Sequence, residues 1–411
     1  MAARGPREFF AVRPVSEALS EFRPSRRTDG ERVALEAALG RVPAEPILAR
    51  EALPGFARAT VDGYAVRASD TYGASEGLPA YLTLAGEAVM GEAPELDVSP
   101  GATVAIATGA PLPAGADAVV MVEHSQAATA ELIEVLRPAA PGDGVVLGGE
   151  DAPRGAELVP GGRPLRPQDI GMLAAAGVTE LSVHARPRVT IVSTGDELVP
   201  PSTARLATGR VRDAVAPALA ALIRQAGGSP IFGGIVPDDR AALTETLARA
   251  LPDTDVLVVS AGSSVGARDE TAEAIASLGE PGIWCHGLSL KPGKPTLLAD
   301  AGGVPVIGLP GNPRSALVVF RLLGMPIVRR VGGCLDAPAE PTTRARLDRH
   351  LPSAAGRLDI VQVSVRDGLA VPLFGSSSLL SVMTRADGFL TVPEPATGLA
   401  AGSEVEVTLY G

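Results

Sequence analysis

Hydrophobic and polar positions follow two rhythms along the chain, and the change comes near residue 188. Before it, short apolar runs such as Ala102–Ala107 (ATVAIA), Ala118–Val122 (AVVMV) and Glu131–Leu136 (ELIEVL) alternate with glycine and proline. That spacing predicts β-rich structure with many turns. Two stretches with helical spacing interrupt it, Arg32–Leu39 and Pro167–Ala176, the second closed by Gly177 as a C-cap.

From Arg188 to about Val331 the rhythm becomes strand, glycine turn, helix. Val189–Ser193, Ile231–Val236, Asp255–Ser260 and Val304–Leu309 are short apolar runs, the mark of strands buried on both faces. Val215, Leu219, Leu222, Ile223 and Ala226 recur at helical spacing before Gly227-Gly228. Leu243, Leu247 and Leu251 mark a second helix, capped by Asp238 or Asp239 and running through Ala250. Asp269–Leu278 and Pro313–Leu323 complete the series. The alternation predicts an α/β layer on a parallel sheet. Beyond a linker at Ala337–Thr343, strands at Asp359–Val365, Leu369–Leu373, Phe389–Val392 and Glu404–Leu409 predict a small all-β C-terminal domain.

The 411 residues correspond to about two to three domains. With 47 Gly and 37 Pro the chain is loop-rich but short of low-complexity disorder. A net charge of −11 and 3% aromatics argue against general nucleic-acid binding, which needs a basic face and stacking platforms. They argue equally against sugar recognition by stacked rings. Cys285 and Cys334 stand too far apart for a zinc ribbon or a disulfide scaffold, and His124, His184, His286 and His350 show no metal-ligand spacing. Met1–Phe10 has charge but no apolar stretch, so no signal peptide is expected, and no apolar run approaches a membrane span. The expectation is a cytoplasmic protein with neither a membrane nor a nucleic-acid partner.

Three predicted strand ends carry glycine turns with polar residues: Ser193–Glu197 (STGDE), Ser260–Gly266 (SAGSSVG) and Leu309–Ser315 (LPGNPRS). Ligands of doubly wound sheets bind outside the carboxyl ends of strands, and glycine lets backbone approach them closely. Three such turns on one edge favour a phosphate or oxyanion site. In Lys291-Pro292-Gly293-Lys294-Pro295 two prolines hold two like charges together, an arrangement that an anion compensates. Glu197, Asp238, Asp239 and Asp269 lie at or just past strand ends, where carboxylates cap helices or hold Mg²⁺ against substrate phosphates. Asp62-Gly63 before an apolar strand and Thr108–Pro111 after another read, on sequence physics alone, as turns.

Together these segments resemble the molybdopterin molybdenumtransferase family, the MoeA type that includes the C-terminal domain of gephyrin. The resemblance rests on DGYAVR at Asp62–Arg67, TGAP at Thr108–Pro111, GED at Gly149–Asp151 and STGDEL at Ser193–Leu198. SVGARD at Ser264–Asp269, KPGKP at Lys291–Pro295 and GLPGNPxSA at Gly308–Ala316 follow in the same order. It covers nearly the whole chain from about Val15.

The resemblance implies insertion of molybdate into adenylylated molybdopterin, with release of AMP, formation of molybdenum cofactor and a need for Mg²⁺. It implies a homodimer of four-domain subunits with a cleft shared between them. The fold class is then α/β plus β. A discontinuous mixed domain (1–50 and 142–187) and an inserted β-rich domain (51–141) precede a central doubly wound α/β molybdopterin-binding domain (188–331), and a β-barrel-like domain (338–411) follows. Lys291, Lys294, Glu197, Asp62 and Asp151 match catalytic positions. Thr108, Gly262, Ser264, Gly266, Pro292, Pro295, Gly311, Ser315 and Ser377 (or Ser378) match substrate-binding positions, and Asp238 and Asp269 match the metal carboxylates. Molybdopterin adenylyltransferase and molybdoenzyme chaperones are the implied neighbours upstream and downstream.

The chain departs from the family pattern at Ala57, Arg58 and Ala59, at Ala214, in Ala261–Ser264, at Arg314, where a small apolar residue is usual, and at Gln362, where an arginine is common. The departures leave two alternatives beside the enzyme: a catalytically weakened paralogue that acts as a pterin-binding or scaffold protein, and a nucleotide-pyrophosphate hydrolase sharing the α/β domain. The β-rich N-terminal half argues against the hydrolase, and the KPGKP lysines argue against the scaffold.

Overall fold

The computed structural model describes residues 12–261 and 265–410, with side chains described at all of these except 265–269. Near the N-terminus, Gly30–Ala34 pairs antiparallel with Glu180–His184, Ile47–Leu48 with Glu157–Val159, and Arg58–Ala59 with Val145–Val146. The residues expected as a helix at Arg32–Leu39 therefore begin as a strand and end in a single 3₁₀ turn, Leu35–Ala37. The alanines and leucines there favour helix locally, but five backbone pairs to a distant strand outweigh that preference.

Between these paired segments lies a six-stranded sheet in the order Ala118–Met121, Gly63–Val66, Ala102–Ile106, Ala80–Ala88, Leu132–Val135, Ser125–Thr129. The Asp62-Gly63 step has a steric reason: a Cβ on Gly63 would overlap the Val120 carbonyl. The helix Pro167–Ala175 forms as expected, and Gly177 takes φ 71° just past its end.

The central sheet runs Ser229–Val236, Arg188–Thr194, Val256–Ala261, Val304–Pro310, Leu297–Ala301, Pro281–His286. The first four strands are parallel, as the apolar runs predict. The last two join antiparallel, so the sheet is mixed rather than wholly parallel. Val215–Gln225 and Pro313–Val319 cover one face; Arg240–Ala250 and Val265–Ala276 supply the other. Asp239, not Asp238, caps its helix, accepting from Ala242 N at 2.8 Å. Two helix ranges differ from expectation. The Asp269–Leu278 helix starts earlier, at Val265. The Pro313–Leu323 helix passes through a π-turn at Phe320–Gly324 and continues as Met325–Val331.

Leu358–Arg366, Leu369–Pro372, Thr342–Leu347, Glu404–Leu409 and Gly388–Val392 pair in a ring, closing a five-stranded barrel. Its first strand takes up Thr342 and Thr343, the end of the expected linker, because an open edge there would leave the barrel unclosed. Barrel and α/β layer share one core: Ile360 and Phe389 pack in the same cluster as Val319, Phe320, Leu288 and Leu290. No helix among the described residues is long and apolar enough to cross a membrane.

Asp169, 5% exposed, anchors the N-terminal region. It accepts both guanidinium nitrogens of Arg163 (2.6 and 2.9 Å) and the Arg166 amide at 2.8 Å. The Arg163 hydrogen bonds hold its carboxyl well below the usual carboxylate range. A depressed folded-state value contributes stability above the unfolded carboxylate value of about 4, and that stability is lost as pH falls below it. Asp169→Asn should cost about 3 kcal/mol at neutral pH and flatten the acid limb of melting temperature against pH. An acid limb unchanged in the variant would contradict this assignment.

Candidate functional site

Strand order decides which loops meet. Along the carboxyl edge of the parallel strands stand, in turn, the loops after Val236, after Thr194, after Ala261 and after Pro310. The first two carry carboxylates and the last carries Gly311, Asn312, Arg314 and Ser315. Three strand spacings separate the ends of this row, about 14 Å. Pro281–His286, parallel in direction to Val304–Pro310, delivers the lysine turn to the same edge.

The lysine turn is held from two sides. Leu290-Lys291 pairs in parallel with Leu358-Asp359 of the barrel. Gly293 has φ 125° and sits so close to the Pro313–Val319 helix that a Cβ would lie 2.5 Å from Val319 Cγ2. Thr296, fully buried, donates from Oγ1 to the Gly293 carbonyl at 2.6 Å and locks the turn from below. The result is a cavity of about 750 Å³ lined by Lys291, Pro292, Lys294, Pro295, Ser315 and Ser377, together with Arg314 and Arg357. The Ser377 loop comes from the barrel and is docked there, its carbonyl accepting from Arg314 N at 3.1 Å. Gly311 lies between Pro310 and Asn312, which both face the cavity. Lys291 is mostly exposed and stands 3.9 Å from the buried Asp359. No ion pair involves Lys294 among the described residues.

Carboxylates gather at the other end of the row. Asp238 N donates to Asp196 Oδ1 at 3.3 Å. Burial, then the charges of Glu197 and Asp196, push the Asp238 carboxyl above its usual value. Such mutual repulsion is what a divalent cation relieves, and hard oxygen donors suit Mg²⁺. Among the described residues no group of three or more His, Cys, Asp or Glu closes into a metal cage. Mg²⁺ seldom uses one, taking one or two carboxylates plus substrate phosphates and water, so this donor set fits it. Gly262 and Ser264 lie outside the described residues. Gly266 and Asp269 fall in the first turns of the helix Val265–Ala276, where side chains lie outside the description.

Asp62, Thr108 and Asp151 do not line the cavity. Asp62 Oδ1 accepts from Thr108 N at 2.7 Å and Oγ1 at 2.8 Å. These bonds hold its carboxyl below the usual range. Asp151 is exposed on a turn pinned by its own amide to the Leu53 carbonyl at 3.0 Å.

Sequence reasoning passed over four residues. Asp213 is buried and accepts from Ser193 Oγ, Val215 N and Ala216 N, joining a strand end to a helix start. Asp196 belongs to the carboxylate group, and its place in the STGDEL turn marked it. Arg357 and Asp359 form a two-bond pair behind Lys291; only the barrel's pairing brings them there, so no local signal announces them.

Residues 13–177 match the MoeA N-terminal region (domain I and II), 190–330 a probable molybdopterin binding domain, and 344–410 the MoeA C-terminal region (domain IV). Molybdopterin molybdenumtransferase 2 of Mycobacterium tuberculosis is 34% identical over 383 residues, covering 91% of this chain and 94% of that protein. The molybdopterin molybdenumtransferase of Nostoc sp. is 33% identical over 389 residues, with 92% and 88% covered. The crystal structure of the molybdopterin biosynthesis moeA protein from Pyrococcus horikoshii OT3 has a TM-score of 0.85 at 32% identity, covering 97% of this chain and 100% of that one.

Gly293→Ala should destabilise the protein by about 2 kcal/mol more than Gly356→Ala. Both glycines have positive φ, but nothing lies within 4 Å of a Cβ at Gly356. Equal losses in thermal unfolding would mean that the lysine turn is not packed against Val319.

Proposed function

The chain belongs to the molybdopterin molybdenumtransferase (MoeA) family, and from that premise we propose that it inserts molybdate into adenylylated molybdopterin, releasing AMP and forming molybdenum cofactor. The observation that carries this reading is the rigid lysine turn, which sets Lys291 and Lys294 on one cavity with Ser315 and Ser377. A carboxylate group stands at the far end of the same sheet edge. An adenylylated pterin is long and anionic, with a diphosphate between its two ends. A site with ammonium groups toward one end of a sheet edge and cation-binding carboxylates toward the other suits that shape.

In this mechanism Lys291 and Lys294 bind molybdate and the pterin-side phosphate of the diphosphate, and Ser315 and Ser377 offer hydroxyl donors to the same anions. The turn that carries the two ammonium groups is fixed before substrate arrives, so they reach the phosphoryl oxygens, where negative charge develops, with little backbone reorganisation. Asp238 and Asp269, with Glu197 and Asp196 beside Asp238, would hold Mg²⁺. When bound, that ion neutralises the diphosphate and eases departure of AMP. Lys294 is exposed on the cavity and has no ion-pair partner among the described residues, so its ammonium is available to an anionic substrate, which favours the enzyme over a scaffold.

We read the site as shared by two copies of the chain, acting in the cytoplasm. Asp62, Thr108 and Asp151 are away from the cavity of their own chain. Exposed apolar side chains surround them: Val122, whose amide donates to the Asp62 carbonyl, and Phe56 and Leu147 near the Asp151 turn. A second subunit would cover those side chains and bring the three polar residues to its own α/β layer.

The purified protein, given adenylylated molybdopterin, Mg²⁺ and molybdate, should release AMP only when molybdate is present and should stop when the metal is chelated. Lys294→Ala should lower kcat/KM by about 100-fold with the fold intact. Absence of molybdate-dependent AMP release from the wild-type chain would overturn the reading. A mixing experiment tests the shared cleft. Asp62→Asn and Lys294→Ala chains, each inactive alone, should regain about a quarter of wild-type activity when co-refolded, because each mixed dimer has one intact site. Mixtures as inactive as their components would place Asp62 and Lys294 in one subunit's site.

A further inference from the structure

Another cavity, of about 340 Å³, lies at the amino edge of the central sheet. Pro187 and Gly227, which line it, stand just before the parallel strands Arg188–Thr194 and Ser229–Val236. The lysine turn is at the opposite, carboxyl edge, about 20 Å away along a seven-residue strand. Three parts of the chain meet at this cavity: Arg41 and His184 of the N-terminal region, Arg224 and Arg329 of the α/β layer, and Cys334 on the way to the barrel. Ligand sites concentrate at junctions of this kind, and the volume suits a small molecule.

Its charge is one-sided. Arg41, Arg186, Arg224 and Arg329 line the cavity, and no Asp or Glu does. Arg41 is accounted for: it is buried, pairs with Glu31 and donates to the His184 carbonyl at 2.8 Å. Among the described residues the other three arginines have no ion pair, and Arg224 and Arg329 have no side-chain hydrogen bond either. Arg186 has only a long one, 3.5 Å to the Gly227 carbonyl. Cys334 supplies no counter-charge, since burial pushes its thiol up. His184 turns Nδ1 to the Thr28 carbonyl at 3.1 Å, which fixes the ring.

Helix ends account for part of this charge. Arg224 and Arg329 stand in the last turns of Val215–Gln225 and Met325–Val331, where a cation offsets the negative end of the helix dipole. Each end carries about half a charge, so two ends offset about one of the three guanidinium charges. About two positive charges then remain around a concave surface, which focuses their field. Dipole compensation calls for one arginine at each helix end and leaves Arg186 unexplained. The excess matches a dianion.

We propose that this cavity binds a small phosphorylated molecule, with Arg186, Arg224 and Arg329 donating to its phosphate oxygens. A phosphate ester or a diphosphate puts two or more charges in a compact volume, and guanidinium groups meet such oxygens through paired hydrogen bonds. No Phe, Tyr or Trp lines the cavity, so recognition rests on the phosphate rather than on ring stacking. The walls come from three parts of the chain, so a bound ligand ties the N-terminal region to the α/β layer and raises the melting temperature. The site is separate from the lysine-turn cavity and does not depend on the molybdate-insertion reading.

The test uses the full-length chain carrying Lys291→Ala and Lys294→Ala, which removes the ammonium groups of the other cavity, with a metal chelator present. Calorimetric titration with inorganic pyrophosphate and, separately, with ribose 5-phosphate should show saturable binding of at least one probe and a higher melting temperature in its presence. Adding Arg224→Gln should weaken that binding about tenfold, and Arg329→Gln on top of it should weaken it further. Arg224 is exposed at a helix end, so its substitution should leave the fold intact, and melting curves without ligand check this. Binding of ribose 5-phosphate assigns the site to phosphate esters, and binding of pyrophosphate alone assigns it to diphosphates; both support the proposal. Absence of binding by either probe, or undiminished affinity in the folded chain with both arginines replaced, would overturn it. Titration needs no turnover, so a wild-type chain that releases no AMP defeats only the insertion reading.

Discussion

The two-residue parallel pairing of Leu290-Lys291 with Leu358-Asp359 is the constraint on which the rest of the site depends. It is short, but it fixes the start of the lysine turn against the barrel while Gly293 fixes its middle against the helix behind. Without it Lys291 has no Asp359 beside it. The shared core beneath, with Ile360 and Phe389 of the barrel packed on Phe320 and Leu290, makes the pairing cooperative with the burial of both layers. The barrel is therefore part of the site's architecture and not an appendage to the α/β layer.

Much of the architecture was legible because its causes are local. Three parallel strands, Arg188–Thr194, Val256–Ala261 and Val304–Pro310, are buried on both faces and announce themselves as apolar runs, whereas Ser229–Val236, expected to be buried likewise, lies at the sheet edge with Ile231 and Phe232 exposed. Gly177 and Asp239 mark helix ends by their own chemistry. What was not legible has causes far away in the chain. Gly30–Ala34 is a strand only because Glu180–His184 arrives to pair with it. Thr342-Thr343 reads as the end of a linker, and the strand Thr342–Leu347, which buries only Ala345 and Leu347, forms when ring closure gives it neighbours on both sides. In the site, KPGKP disclosed the lysines because prolines and like charges adjoin in sequence. The partners of Lys291 emerge only when the barrel docks, and Arg314 registers in the sequence merely as a departure from a pattern.

Charge is distributed in a way that the net −11 conceals. Carboxylates repel one another at one end of the sheet edge, and cations stand under-compensated at the other. The protein thus holds two opposite charge imbalances along one sheet edge. Binding energy of that origin comes from relief of repulsion already present, which requires little movement of the protein.

The antiparallel pairs of the N-terminal region also impose an order in time. Every strand of the 63–135 sheet finds its partners within that span, so that sheet can complete itself as soon as its last strand leaves the ribosome. The pairs that flank it cannot: Gly30 waits for His184, and Arg58-Ala59 waits for Val145-Val146. During synthesis the strand residues between Gly30 and Ala59 stay unpaired until the chain has passed residues 145 to 184, while the 63–135 sheet lies between the two halves of their eventual pairs. The order in which these strands can pair is thus set by topology.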